Sequence, residues 1–149
     1  MNATLSDDGR LLSLSGPLSE KTDLQALAAR LSGEVRVDAS GIARINSAGV
    51  KAWSRFIGAV PAGVTLVFEK CPVVFVSQLN MVAGFIGGGR VASLAVPYLC
   101  PSCGEAVEPV LTLEQAANGL PESHGPCPKC GKPLELDVMP DEYLAFLRG

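Results

Sequence analysis

Two copies of the pattern Cys-Pro-x-Cys-Gly constrain this chain more than any other feature. They read Cys100-Pro101-Ser102-Cys103-Gly104 and Cys127-Pro128-Lys129-Cys130-Gly131. A two-residue gap between cysteines makes a tight turn that points both sulfurs at one centre. The glycine after the second cysteine frees the backbone to turn, so that its N–H can reach the first thiolate. Two such knuckles supply four thiolates, the donor set of a closed, structural zinc site. The intervening residues, 104–126, form a spacer slightly longer than is usual for this pattern. A catalytic zinc keeps a position open for water, and four thiolates leave none. A thioredoxin-like redox site needs one such pair at a helix start, and paired knuckles of this form favour zinc over an iron–sulfur cluster.

The fifth cysteine, Cys71, precedes Pro72 at the end of an apolar run and reads as a small buried residue. A catalytic thiol would want a histidine nearby, and the only one, His124, is far away in sequence. His124 lies close enough to Cys127 to substitute as a ligand, but it reads more simply as a surface loop residue.

Hydrophobic residues make up 48% of the 149 and charged residues 18%, which excludes a disordered chain and allows a real core. The apolar runs are short, so no membrane span is expected. The first ten residues show no apolar stretch after a basic one, so a secretory signal is not expected and a cytoplasmic location is. Residues 1–96 hold nine Lys/Arg against seven Asp/Glu, whereas residues 97–149 hold three against eight. The cysteine-bearing third is therefore acidic, with Glu105, Glu108, Glu114 and Glu122 near the knuckles. Phosphate would be repelled there, which disfavours a nucleic-acid-binding ribbon. A structural staple or a protein-contact module is expected instead.

Hydrophobic periodicity divides the chain into residues 1–96 and residues 97–149. In the first part, residues 2–7 and 10–15 predict a hairpin around Asp7-Asp8-Gly9, ended by Gly16-Pro17. Helices are predicted over residues 19–31, 47–60 and 72–85, with strands over 34–39, 63–68 and 89–96. The second helix would bury Val50, Trp53, Ile57 and Val60, leaving Lys51 and Arg55 outside. The strand over 63–68 is apolar throughout and should be central. This order implies an α/β fold with a mostly parallel sheet, whose strand-to-helix loops form the functional edge. In the second part, Val107, Val110, Leu111, Leu113 and the end Tyr143, Leu144, Phe146, Leu147 suggest a small core packed back on the first part.

The stretch Val35-Arg36-Val37-Asp38-Ala39-Ser40-Gly41-Ile42-Ala43-Arg44-Ile45-Asn46-Ser47-Ala48-Gly49-Val50 resembles the signature of the STAS domain. That family includes bacterial anti-anti-sigma factors and the tails of sulfate transporters. Its pattern is a strand ending in Asp, a short link, then Asp-Ser-[Ser/Thr]-Gly-[Leu/Val] opening a helix. The resemblance covers residues 1–96 and implies a STAS-like mixed sheet packed with helices, to which the zinc ribbon is an addition. It implies a cytoplasmic regulatory module that docks on a protein partner, an anti-sigma kinase or another ATPase, through Asn46, Ser47, Ala48, Gly49 and Val50. The position that anti-anti-sigma factors phosphorylate is Ala48 here, which has no hydroxyl, and the leading Asp is Asn46. The switch is therefore expected to be lost. Ser47 keeps a hydroxyl and is the remaining candidate phosphosite, although its first expected role is N-cap of the helix.

No convergent acid, base and nucleophile set accompanies the motif, and no GxSxG or Walker loop is present, so an enzyme is not expected. The third helix is apolar nearly all round, from Val73 to Ile86. Such a helix is buried on every side or belongs to an interface. Cover by the zinc ribbon and contact with a partner or a second copy, forming a homodimer, explain it equally well. Two related functions stand beside the docking module. One is a STAS subunit regulating an ABC-type ATPase, and the other is a domain that binds a nucleotide or a lipid.

Overall fold

A computed structural model describes residues 1–148. It contains a mixed five-stranded sheet, two smaller strand assemblies and, among the described residues, five α-helices. Strands β1 (Asn2–Leu5) and β2 (Leu11–Leu18) form an antiparallel pair. A short helix α1 (Gln25–Ala28) leads to β3 (Glu34–Ile45), then come α2 (Ser47–Ala59), β4 (Thr65–Glu69), α3 (Val73–Met81) and β5 (Arg90–Val91). The sheet order is β1-β2-β3-β4-β5, with every pair after the first parallel. The mostly parallel sheet expected from the sequence is present. Its central strand is β3, with β4 an interior neighbour.

Four expectations change in detail. The helix over 19–31 shrinks to α1, because Ser19 and Thr22 bond the local backbone. Thr22 Oγ1 accepts from Ser19 N at 3.0 Å, and Ser19 Oγ accepts from Lys21 N at 3.3 Å. These side-chain bonds give the chain an alternative to helix. Leu24, Ala28 and Leu31 are nevertheless buried as the apolar spacing required. Second, β2 runs through Gly16 and Pro17. Its pairing with β1 stops at Ser15, so Pro17 removes no bond on that side. Third, β3 continues past residue 39 to Ile45 and slips register against β2 twice. Asp38 supports the first slip, because its Oδ1 accepts from Ser40 N at 3.0 Å and from Ser40 Oγ at 2.7 Å.

The fourth change reorganises the boundary between the two parts. The strand over 89–96 is broken. Val91 stays in the main sheet, whereas β6 (Ser93–Ala95) pairs with β9 (Val110–Thr112) from the second part. Cys71 N donates to Ser93 O at 3.1 Å, and Ala95 N donates to Cys71 O at 2.8 Å, so β6 remains tied to the first part as well.

Strands β7 (Tyr98–Leu99), β8 (Ala106–Val107), β10 (Ser123–Pro126) and β11 (Pro133–Leu136) form an antiparallel sheet in the order β10-β11-β7-β8. Helix α4 (Leu113–Ala117) starts in a capping box of Thr112 and Gln115. Helix α5 (Pro140–Tyr143) and a 3-10 turn (Ala145–Leu147) end the described chain and pack on α3. The apolar faces of both parts merge into one buried cluster, from Leu12 to Tyr143. Cover for α3 thus comes from the C-terminal helical segment rather than from the knuckles. Asn80 fixes it, with Nδ2 donating to Tyr143 O at 2.9 Å and Oδ1 accepting from Phe146 N at 2.8 Å.

The densest part of the core surrounds Trp53. Its ring lies 5.3 to 6.0 Å from those of Phe56, Phe68, Phe75 and Phe85. The buried face of α2 is Gly49, Trp53 and Phe56, with Val50, Ile57 and Val60 half-buried beside it. Gly49 is buried because the first turn of α2 sits directly on the end of β2. A Cβ at Gly49 would overlap the Leu18 carbonyl oxygen, an atom of fixed backbone. Gly49→Ala should therefore cost about 1–3 kcal/mol as an overpacked contact. Ser47→Ala, at an exposed position, should change stability by less than about 0.5 kcal/mol. Urea unfolding of the two variants checks the difference.

Candidate functional site

Two groups of residues singled out in the sequence are brought together in space. The first is the set of four cysteines. Cys100 closes β7 and Cys127 follows β10, and the pairing of both strands with β11 places the knuckles side by side. The knuckles repeat one backbone pattern. Cys100 N donates to Glu105 O at 2.8 Å and Gly104 N to Cys100 O at 2.9 Å. Cys127 N donates to Lys132 O at 2.7 Å and Gly131 N to Cys127 O at 2.8 Å. Gly104 and Gly131 have φ of 79° and 80°, a left-handed conformation that favours glycine in each turn.

The four sulfurs all lie within 4.8 Å of one another and could hold a metal ion. Cys100 Sγ is 3.4 Å from Cys130 Sγ, and Cys103 Sγ is 3.6 Å from Cys127 Sγ. Cys100 and Cys127 are buried, and Cys103 and Cys130 are exposed. The backbone N–H of Cys103 holds the Cys100 thiol down at about 6, with the N–H of Ser102 and neighbouring sulfurs helping against burial. Burial opposes ionisation of Cys127, but the N–H groups of Cys130 and Lys129 outweigh it and lower that thiol too. At Cys103 the Glu105 N–H pulls down, yet burial and protons shared with the other sulfurs push the thiol up to about 12. Backbone N–H groups of the knuckles thus favour thiolate at Cys100, Cys103 and Cys127 alike, which suits cation binding.

His124 stands outside this group. It is exposed, and its ring packs on that of Tyr98 at 5.1 Å. Cys71 is fully buried, and burial pushes its thiol up to about 12, so it is an inert core residue.

The second group is the edge at residues 46–50, where β3 passes into α2. Asn46, rather than Ser47, is the N-cap: its Oδ1 accepts from Gly49 N at 2.7 Å. Ser47 is the first residue of the helix, with its side chain exposed. Both residue types cap well, and the extended conformation of Asn46 decides between them. Asn46 N also donates to Leu18 O at 3.1 Å, and Asn46 Nδ2 donates to Glu20 Oε2 at 3.2 Å. The backbone N–H of Glu20, and then the Asn46 amide, hold the Glu20 carboxyl below its usual value. Ala48 and Val50 are half-buried and Gly49 is buried.

Beside this edge lies a cleft of about 620 Å³, at the C-terminal ends of the parallel strands β2 and β3. Glu20, Arg44, Asn46, Val74 and Gln78 are among its lining residues. Sequence reasoning placed Asn46 here but missed Glu20, Arg44 and Gln78. The motif identified Asn46; Arg44 lies within the same stretch, at the end of β3, but was not singled out, whereas Gln78 arrives from α3 and Glu20 from the turn after β2. No helix among the described residues is long and apolar enough to cross a membrane. Comparison of the chain with protein-family models, with curated proteins and with solved structures gave no match in any of the three.

Proposed function

We propose that this chain is a non-enzymatic regulatory module of the STAS type, cytoplasmic and bacterial, carrying one structural zinc ion on Cys100, Cys103, Cys127 and Cys130. The observation that carries the docking reading is the seating of residues 46–50. An Asn-capped helix start is clamped onto the Leu18 carbonyl at the C-terminal edge of a parallel sheet, and it presents Ser47 and Ala48 beside an open cleft. That is the edge a STAS domain offers to a kinase-like or ABC-type ATPase. With Ala48 at the phosphoacceptor position, binding is constitutive. The cleft itself supports a second reading, a nucleotide or lipid ligand held outside the carboxyl ends of the strands.

The zinc assignment rests on the donor set and its spacing. Bonds of about 2.3 Å from a tetrahedral zinc place thiolates roughly 3.8 Å apart. The two close sulfur pairs and the 4.8 Å limit bracket that value. Cysteine-only ligation leaves no site for a substrate, so the ion acts on stability.

Metal analysis should therefore find one zinc per chain, and a strong chelator should lower the melting temperature and unfold at least the C-terminal third. Cys103→Ser should do the same, because a structural zinc contributes on the order of 10 kcal/mol to the fold it closes. Melting unaffected by chelator would sink the zinc assignment.

The docking reading is tested by affinity capture from the native cells, with the normal chain beside Ser47→Arg, an exposed change that spares the Leu18 contact. Recovery of an ATPase or anti-sigma kinase, lost in the variant, is the expected result. The same partners surviving the change would remove this edge as the working surface. Ala48→Ser should become a phosphoacceptor for such a kinase, while the unchanged chain takes up no phosphate at that position. Failure of the variant to label would point away from that kinase class. A melting shift with nucleotide or lipid, abolished by Arg44→Ala, would instead select the ligand reading.

A further inference from the structure

The two most exposed large apolar side chains among the described residues are Met81, 70% exposed, and Met139, 66% exposed. They lie far apart in sequence, yet both line one cleft of about 480 Å³, formed where the C-terminal segment crosses α3. Val138 and Tyr143 extend its apolar lining, and Asp137 and Glu142 add two exposed carboxylates. Scattered apolar side chains on a surface need no explanation, but two converging in a polar-rimmed groove mark a binding surface.

The charged side chains that line this groove, Asp137 and Glu142, are both acidic, and the nearby Arg148 is engaged with the Asp141 carbonyl. Between Lys132 and Arg148 the chain carries Glu135, Asp137, Asp141 and Glu142 and no cation. From Cys71 to Gly89, the stretch containing α3, it carries no charged residue at all. None of the ion pairs among the described residues uses any of these four carboxylates. An acidic segment or a phosphate would be repelled here, and Lys or Arg flanking an apolar face would be attracted. Methionine side chains are unbranched and adaptable, suited to an apolar helix face laid into a groove.

The groove is also held in shape. Asn80 grips the C-terminal segment at two points, and Tyr143 Oη donates to Ala95 O at 2.6 Å. Little ordering is left for a partner to impose. We propose that the cleft between α3 and the C-terminal segment docks a basic amphipathic helix of a partner protein. This surface is distinct from the edge at residues 46–50 and adjoins it along α3, where Ser77 lines both clefts.

The test uses the full chain and a labelled Leu/Lys helix-forming peptide of about 16 residues, with a Leu/Glu peptide of the same length and Leu pattern as its counterpart. Fluorescence anisotropy should show saturable binding of the basic peptide and none of the acidic one. Binding should weaken at least about tenfold in the double variant Met81→Ser/Met139→Ser, and similarly in Asp137→Asn/Glu142→Gln, since groove anchors and rim charges act together. All four positions are exposed, so the melting temperature should stay unchanged and serves as the check on folding. Ser47→Arg should bind the peptide as the normal chain does. Absence of saturable binding, equal binding of the acidic peptide, or binding undiminished in the methionine variant would overturn the proposal. Sedimentation showing self-association that the methionine variant abolishes would assign the groove to a second copy, and would overturn the partner as well.

Discussion

The indole of Trp53 has to be buried and to give its N–H a partner at once, and the arrangement of the first ninety residues follows from how both demands are met. Nε1 donates to Phe85 O at 2.7 Å, a bond between α2 and the loop beyond α3. A buried N–H left unpaired would cost about 1–3 kcal/mol, so that loop is not free to sit elsewhere. Phe85 in turn stacks on Trp53 and meets Phe75 edge-on at 5.1 Å, which fixes the orientation of α3. Phe68 of β4 closes the cluster from the sheet side. One tryptophan thus sets two helices, a strand and a loop relative to each other. The edge at residues 46–50 inherits its position, because α2 can bring Gly49 onto Leu18 only while Trp53 holds the helix down.

The second part is joined to this frame by backbone and polar bonds as well as by the shared apolar cluster. Strand β6 bonds to Cys71 on one side and to β9 on the other, so the same residues belong to both assemblies. A buried strand must satisfy its N–H and C=O groups somewhere, and here two different parts of the chain satisfy them. The C-terminal segment then returns across α3, where Asn80 accepts and donates at once. Loss of the metal centre would free the ends of β7 and β10, and the ties through β9 and Asn80 would be lost with the C-terminal third. The centre therefore governs the local order of the antiparallel sheet and has no direct hold on the Trp53 cluster.

What could be read from the sequence was what neighbouring residues decide. The knuckle turns were legible, because their geometry is set within six positions of each cysteine pair, although the glycine N–H groups bond the Cys100 and Cys127 carbonyls rather than the thiolates. The element order of the first part was legible because strands and helices differ in apolar period. The failures came from competition that spacing does not reveal. Apolar positions between 24 and 31 fit a longer helix, but Ser19 and Thr22 gave the preceding backbone other partners. Asn46 and Ser47 are both good caps, and a single backbone conformation separated them. The break after Val91 and the landing of Tyr143 on Asn80 depend on contacts between distant positions, about which local periodicity is silent. Glu20 and Gln78 joined Asn46 around the cleft for the same reason.

Charge connects the two parts in a way that neither fold nor motif alone conveys. The first part has a slight excess of cations and the second a clear excess of carboxylates. A divalent ion on four thiolates would carry two net negative charges, so the proposed zinc would deepen that asymmetry. Burial alone would work against thiolate formation in such surroundings, which explains why the knuckles aim backbone N–H groups at Cys100 and Cys127. A surface of that sign discourages nucleic acid and favours cationic protein segments, and the apolar side chains left uncovered beside α3 lie on that side of the molecule. The apolar run that made α3 ambiguous in the sequence is resolved by division: one face enters the Trp53 core, another is strapped by the C-terminal segment, and Met81 is left in the open.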